Sequence, residues 1–316
     1  MPDCFVGFDT SNYTTSLSLA DADGTLVCNL KKLLPVPAGQ KGLRQSDAVF
    51  EHTRQLPQLL SELRPFLAGH RILAVGCSTK PRDAEDSYMP CFLAGVNAAT
   101  AFASACGADL FPFSHQQGHI MAAIHGTDER DRFLTSPFIA FHVSGGTTEA
   151  LRIIPADGSF AVRLISHTLD ISCGQAIDRV GVMLGLPFPC GAELEKLALQ
   201  NHGKLPDIRA SVSEGNCNLS GVVTRAQKLF EETKDANLVA HFTLEYIKQT
   251  LIEMIRFAKH QYPDASFLFA GGVMSNALIR NDISSVCNAF FTQPQLASDN
   301  AAGIALLARS KYLTQG

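Results

Sequence analysis

The reading of the chain turns on residues 5–31, FVGFDTSNYTTSLSLADADGTLVCNLK. Phe5–Phe8 is a short apolar run, DTSNYT is polar, and Thr15–Ala20 alternates apolar with polar. The DADG of 21–24 supplies a tight Asp-Gly turn, and Thr25–Lys31 continues as a third extended run. The order strand, polar turn, strand, Asp-Gly turn, strand then returns at 137–167, PFIAFHVSGGTTEALRIIPADGSFAVRLISH. The two Asp-Gly pairs, 23–24 and 157–158, stand at equal distance after Phe8 and His142. Helical periodicity follows each triple: Ser46–Leu67 after the first, Gly174–Leu186 and Leu194–Leu199 after the second.

A repeated β-β-β-α core predicts an α/β fold of two duplicated domains facing each other, and its resemblance to RNase H-like, actin-like domains implies a nucleotide cleft between them. The layout resembles the superfamily of actin, the sugar kinases and the heat-shock chaperones, whose paired hairpin turns hold phosphate groups. The first domain is expected at 1–113 plus 298–316, and the second at 114–297 with a helical insertion. Ile72–Cys77 and Asp109–Phe113 read as strands, and Phe92–Cys106 as a helix of small residues able to pack closely. SFLFAGGV (266–273) reads as a strand ending in a diglycine, followed by a helix. Ala301–Leu313 is a last helix returning to the first domain, and Gln200–Asn218 reads as a loop.

The bulk numbers narrow the function classes. A chain of 316 residues that is 46% hydrophobic and 18% charged can bury a sizeable core, and a net charge of −4 offers no global pull on polyanions. The mean hydropathy of +0.08 agrees. Nine scattered cysteines without a C-x-x-C pair fit buried thiols in a reducing compartment better than disulfides or a thiolate zinc site. The opening MPDCFVGFDTS has no basic or apolar leader pattern, and no window approaches the run of about 18 apolar residues that spans a bilayer. The expectation is a soluble, cytoplasmic protein without a membrane partner.

Three features carry chemistry. HQQGH (115–119) sets His115 and His119 four apart, on one helical face, where neutral imidazoles can share a metal. Asp299 in ASDNAAG is a candidate third ligand, although Ser298, Asp299 and Asn300 are equally helix N-cap residues. Gln116 stands where a zincin would carry its glutamate base, which argues against a metallopeptidase. The turns at Ser144, Gly145 and Gly146 and at Gly271 and Gly272 each end a strand in glycines that let backbone approach an anion, and Asn276 follows the second. Asp178, on the helix of CGQAIDRVGVMLGL, is either a solvated face residue paired with Arg179 or a carboxylate at the cleft end that accepts ribose hydroxyls, and Gly191 closes the sharp PFPCG turn.

In this order GFDTS, HQQGH, HVSGG, AIDRVGVMLGL with PFPCG, NLSGVVT, GGVMSN and SDN resemble the tRNA threonylcarbamoyladenosine transferases, formerly called O-sialoglycoprotein endopeptidases. The resemblance covers nearly the whole chain. It implies a divalent metal, Fe2+ or Zn2+, on His115, His119 and Asp299. It implies an adenine nucleotide, threonylcarbamoyl-AMP or ATP/AMP, against the turn His142, Val143, Ser144, Gly145 and Gly146, with Asp178, Gly191 and Asn276 about the nucleoside and the Gly271–Gly272 turn as a further nucleotide contact. The implied reaction is acyl transfer to the exocyclic amine of a tRNA adenosine, with AMP leaving and no protein nucleophile. A protein partner or a second copy docking on the first domain is the implied assembly.

This chain departs from the family pattern at named places. Asn12, Tyr13 and Thr14 stand where the family carries acids, and STKPRDAEDSYMP (78–90) replaces its Gly-Pro-Gly loop. Thr147 replaces the histidine after SGG, and Cys190 replaces a glycine of the Pro-Gly-Gly turn. The pattern is that of a divergent paralogue. Its alternative reading is a catalytically idle nucleotide-binding protein that scaffolds or regulates a partner.

Overall fold

The computed structural model describes residues 1–11, 13–35, 43–84, 86–293 and 301–315. The chain divides into two compact units. Unit 1 is Met1–Leu134, Pro155–Val162 and Ser298–Gly316; unit 2 is Thr135–Ile154 and Arg163–Ala297.

The first stretch of unit 1 runs β1 (Asp3–Ser11), β2 (Thr14–Asp21), β3 (Leu26–Leu33), α1 (Gln45–Leu67), β4 (Arg71–Lys80), α2 (Phe92–Cys106), β5 (Asp109–Ser114), α3 (His115–His125) and α4 (Arg130–Thr135). Its sheet has the order β3-β2-β1-β4-β5. Neighbours β1, β2 and β3 are antiparallel, while β4 lies parallel to both β1 and β5.

Then come β6 (Phe138–Val143), β7 (Thr148–Ala156), β8 (Ser159–His167), α5 (Cys173–Met183), α6 (Gly191–Leu199), β9 (Val212–Ser213), β10 (Asn216–Cys217), α7 (Ser220–Thr233) and α8 (Ala236–Gln261). The chain continues through β11 (Phe267–Ala270), a 3-10 turn (Gly272–Ser275), α9 (Ala277–Val286) and β12 (Ala289–Phe291) before α10 (Ala301–Gln315). The second sheet has the order β12-β11-β6-β7-β8. Read from β8, it repeats the first sheet strand for strand: β6 takes the place of β1, β11 of β4 and β12 of β5, with the same parallel and antiparallel pairings about the central strand. The duplication read in the alternation of 5–31 and 137–167 is thus a duplication of topology.

The core of unit 1 lies on one face of its sheet. Cys4, Val6 and Phe8 of β1 and Leu17 and Leu19 of β2 bury against Leu56, Leu59 and Leu63 of α1 and Ala99 and Ala103 of α2. Each large side chain so buried contributes about 1.5–3 kcal/mol. The other face receives α10 at bare glycines: a Cβ on Gly7 would stand 2.2 Å from the Ala301 carbonyl oxygen, and one on Gly76 2.7 Å from that of Ile304. In unit 2, Ile139, Phe141 and Val143 of β6 pack with Ile177 and Val180 of α5, Leu194 of α6, Val222 of α7 and Ile247, Leu251 and Ile255 of α8. Helix α8 starts where Asp235 accepts the amides of Asn237 and Leu238.

Asp157 and Gly158, at φ 46° and 72°, turn β7 into β8, as a two-residue hairpin requires. Gln200–Asn218 departs from the loop reading, because Glu214 and Gly215 (φ 49° and 81°) close the short β9–β10 ladder. All nine cysteines are unpaired thiols. Among the described residues no helix is long and apolar enough to cross a membrane.

Candidate functional site

The HQQGH stretch opens α3. Ser114 is its N-cap: the hydroxyl accepts from the Gln117 amide while the Gln117 side chain returns to Ser114. The same Gln117 donates to the Phe160 carbonyl at 2.8 Å and to Ser159 Oγ, which anchors the first turn of the helix. His115 and His119 lie edge to face with ring centroids 4.5 Å apart. His115 Nδ1 is 2.9 Å from Asp9 Oδ2. Asp9 is fully buried, and its carboxylate also accepts the Ser11 amide at 2.9 Å and the Ser78 hydroxyl. Burial opposes its charge, yet His115 and the hydroxyl and amide donors outweigh that and hold the carboxyl below its usual range.

Helix α10 crosses α3 beside this pair, with Gly303 against Gly118. Asp299, four positions earlier in the sequence, lies outside the described residues, as does Asn12. Among the described residues no three His, Cys, Asp or Glu side chains converge as a metal cluster. His115 and His119 nonetheless fit as part of one. With a carboxylate on Nδ1, Nε2 is the nitrogen that His115 would offer to a metal, and paired imidazoles suit Fe2+ or Zn2+. In the replaced loop, Lys80 pairs with Asp83 at 3.0 Å, so its charge is answered locally.

Unit 2 holds a cavity of about 370 Å³, within the range of small-ligand sites. Gly145, Asp178, Gly191, Gly272 and Asn276 line it together with Gly174, Ile177, Pro189, Ala192, Glu195, Val273 and Ser275. Three polar lining side chains, those of Asp178, Glu195 and Asn276, each accept a backbone amide. Asp178 Oδ1 accepts the Cys190 amide at 2.9 Å, and Glu195 Oε1 accepts the Ala277 amide at 2.6 Å. Asn276 uses its Oδ1 to cap α9 at the Ile279 amide, which turns its NH2 group into the donor available for other contacts. Two carboxylates beside an amide suit the adjacent hydroxyls of a ribose, and Ile177, Pro189 and Val273 supply apolar surface for a base.

The N-terminus of α5 forms another edge of the cavity. Ser172 caps it through the same Ser-x-x-Gln device seen at α3. The Ser172 hydroxyl donates to the Gly145 carbonyl at 2.7 Å, and the Gly174 amide to that of Ser144. A Cβ on Gly174 would lie 2.5 Å from Gly145 Cα, so this helix start and the SGG turn are built to touch. The positive end of the helix dipole then sits where a phosphate would be favoured.

The remaining candidates fall elsewhere. Ser144 Oγ accepts from the amides of Gly146 and Thr147, so two donors of the SGG turn are already satisfied by a hydroxyl. Val143 is core, and Gly271 (φ 104°) is a packing glycine, since a Cβ there would meet the Val143 carbonyl oxygen at 2.2 Å. His142 is half-buried on β6, opposite Glu149 on β7. Cys190 finds room because Gly181 lacks a Cβ, which would come 2.2 Å from that of Cys190. Burial, then the nearby Asp178, raises the Cys190 thiol and keeps it protonated. Sequence reading missed Glu195, a helix-surface acid by pattern, and Asp9, which the pattern puts in the polar turn after Phe8 and the structure puts inside β1. The Ser-x-x-Gln caps were the available signal for both helix starts.

Two five-stranded sheets of matching order, each built on a β-β-β hairpin triple, define an α/β protein of the actin-like ATPase fold. Solved structures agree on the fold. The activator of 2-hydroxyisocaproyl-CoA dehydratase from Clostridium difficile with bound ADPNP superposes with a TM-score of 0.55 at 13% identity, covering 100% of this chain and 97% of that one. HypF from T. kodakarensis reaches 0.60 at 12% identity, over 99% of this chain and 48% of that one. A ROK family glucokinase from Streptomyces griseus, in complex with glucose and AMPPNP, reaches 0.51 at 13% identity, over 96% and 98%.

The family description tRNA N6-adenosine threonylcarbamoyltransferase matches residues 88–306, and the chain belongs to that family. A protein of that name from Streptococcus suis is 32% identical over 232 residues, which are 70% of this chain and 66% of the relative, just under two thirds of its length. Another, from Polaromonas sp., is 28% identical over 323 residues, 96% of this chain and 90% of the relative.

Proposed function

We propose that this protein is a metal-dependent transferase that moves the threonylcarbamoyl group of threonylcarbamoyl-AMP onto the N6 amine of a tRNA adenosine, in the cytoplasm. The observation that carries the reading is the unit 2 cavity, in which Asp178, Glu195 and Asn276 surround a space of nucleotide size beside a helix N-terminus. Asp178 and Glu195 accept the ribose hydroxyls, the Asn276 amide donates to the nucleotide, and the positive end of the α5 dipole favours phosphate charge.

In the reaction the tRNA amine attacks the carbamoyl carbon. A C–N bond forms, the bond from that carbon to the phosphate oxygen breaks, AMP departs, and the amine proton is released to solvent. His115 and His119, with Asp299, would hold one Fe2+ or Zn2+, which supplies Lewis-acid polarisation of the acyl or phosphate oxygens when bound. Acyl transfer of this kind needs no covalent protein intermediate. The raised thiols of Cys173 and Cys190, both driven by burial, agree with a protein that carries no activated nucleophile there.

The test supplies the purified protein with unmodified tRNA, threonine, bicarbonate, ATP and the adenylate-forming enzyme. Threonylcarbamoyladenosine in the tRNA is the expected product. Nucleotide and metal binding without any tRNA product, in the presence of all components, would instead favour the idle, regulatory reading.

A further inference from the structure

We infer that Asp9 is a positioning residue for the metal: it sets the tautomer of His115, so that Nε2 is the ligating nitrogen, and Ser78 holds Asp9 in place for that task. The inference rests on the metal reading proposed above. Asp9 has no exposed surface, and neither of its oxygens is left without a donor. Oδ1 accepts the Ser11 amide at 2.9 Å, while Oδ2 takes both the Ser78 hydroxyl and His115 Nδ1. A carboxylate so engaged cannot rotate, and as an ionised group it only accepts. The proton on the shared bond therefore belongs to Nδ1 of His115, and the neutral ring carries its lone pair on Nε2.

The support is rigid. Asp9 and Ser78 sit near the ends of the paired central strands β1 and β4, where Phe8 faces Cys77 in register. His115 is the first residue of α3, fixed by the Ser114–Gln117 capping box. The imidazole is partly exposed, at 21% of its side-chain surface, while the carboxylate behind it is at 0%. A ring held from its buried side and open on the other is the arrangement of a metal-binding histidine with an outer carboxylate. His119, edge-on at 4.5 Å, supplies the second imidazole on the same helix.

The first test needs no variant. Long-range 1H–15N spectra of the metal-free wild-type protein at mildly alkaline pH, with the His115 ring assigned by its absence in His115→Ala, report which nitrogen is protonated. The Nδ1–H form is expected, and a dominant Nε2–H form would overturn the inference. The second is a Co2+ titration followed by visible absorption. Asp9→Asn is expected to weaken Co2+ binding by about 10–100-fold and to erase the tautomer preference, with Ser78→Ala lying between it and wild type. Equal Co2+ affinity in wild type and Asp9→Asn, with binding still lost in His115→Ala, would overturn the role of Asp9 and leave the metal site standing. Wild-type protein that takes up no Co2+ would overturn both.

Discussion

Gly303 of α10 meets Gly118 of α3 so closely that a Cβ added to Gly303 would stand 1.8 Å from the Gly118 carbonyl oxygen. The two helices cross at a point where α10 has no room for a side chain, one residue before His119. Substitution Gly303→Ala must push backbone against backbone, which costs about 3 kcal/mol or more. Gly221→Ala is the control: it lies in α7 with nothing within 4 Å of the new methyl, and helix propensity alone gains about 0.5–1 kcal/mol. Denaturant unfolding of both variants checks the contrast. A neutral Gly303→Ala would mean that the α3–α10 crossing is looser than described.

The Cys190 site offers a second contrast. Gly181→Ala drives a methyl into Cys190 and is expected to destabilise by about 1–3 kcal/mol. Cys190→Gly, which restores the residue type the family pattern carries, removes the obstacle. The double variant should recover much of the loss, giving a coupling of about 0.5–3 kcal/mol in a thermodynamic cycle. Additive losses would contradict the packing account of Cys190.

Asp178 should matter for nucleotide more than for folding. Asp178→Asn keeps an oxygen for the Cys190 amide but loses the charge offered to a ribose. AMP affinity by calorimetry is expected to fall about 10-fold, the size of a charge-assisted hydrogen bond. Unchanged affinity would remove Asp178 from the nucleotide wall.

Stability should decline on acidification in two stages. Burial pulls His52 and His125 from 6.5 down to about 4 in the folded chain, with Arg130 adding to the effect at His125. Between these values the unfolded chain binds the extra protons, so stability is lost as pH falls from about 6.5 to about 4. Asp9 and Asp170 are both lowered from 3.8, Asp170 to about 2, where donors from Leu219, Ser220 and Ile171 outweigh burial. Their contribution is present above 3.8 and lost as pH falls further. His52→Gln should flatten the upper stage, seen in denaturation midpoints across pH, and a slope identical to wild type would contradict the assignment.

The sheets were legible because alternation is local: Leu17 and Leu19, or Ile139 and Phe141 in the run PFIAFHV, announce a buried face without reference to anything distant. The Asp157–Gly158 turn was equally legible, since its positive φ angles call for those residues. What local pattern could not give was contact across the chain. Asp9 reads as a polar turn residue until Ser78 and His115, from β4 and α3, are seen to surround it. Glu195 reads as a solvated helix acid until the Ala277 amide comes to it from 82 positions away. Gly271 reads as a phosphate glycine, and its contact with Val143 gives it a packing role instead. The β9–β10 ladder is too short for periodicity to register.

The most direct measurement of the central claim is single-turnover transfer from preformed threonylcarbamoyl-AMP to unmodified tRNA by the purified, metal-loaded protein, followed by nucleoside analysis. One equivalent of threonylcarbamoyladenosine and one of AMP are expected, with transfer impaired in Asp178→Ala and in His115→Ala. Hydrolysis of the adenylate without modified tRNA, or transfer indifferent to both substitutions, would contradict the claim.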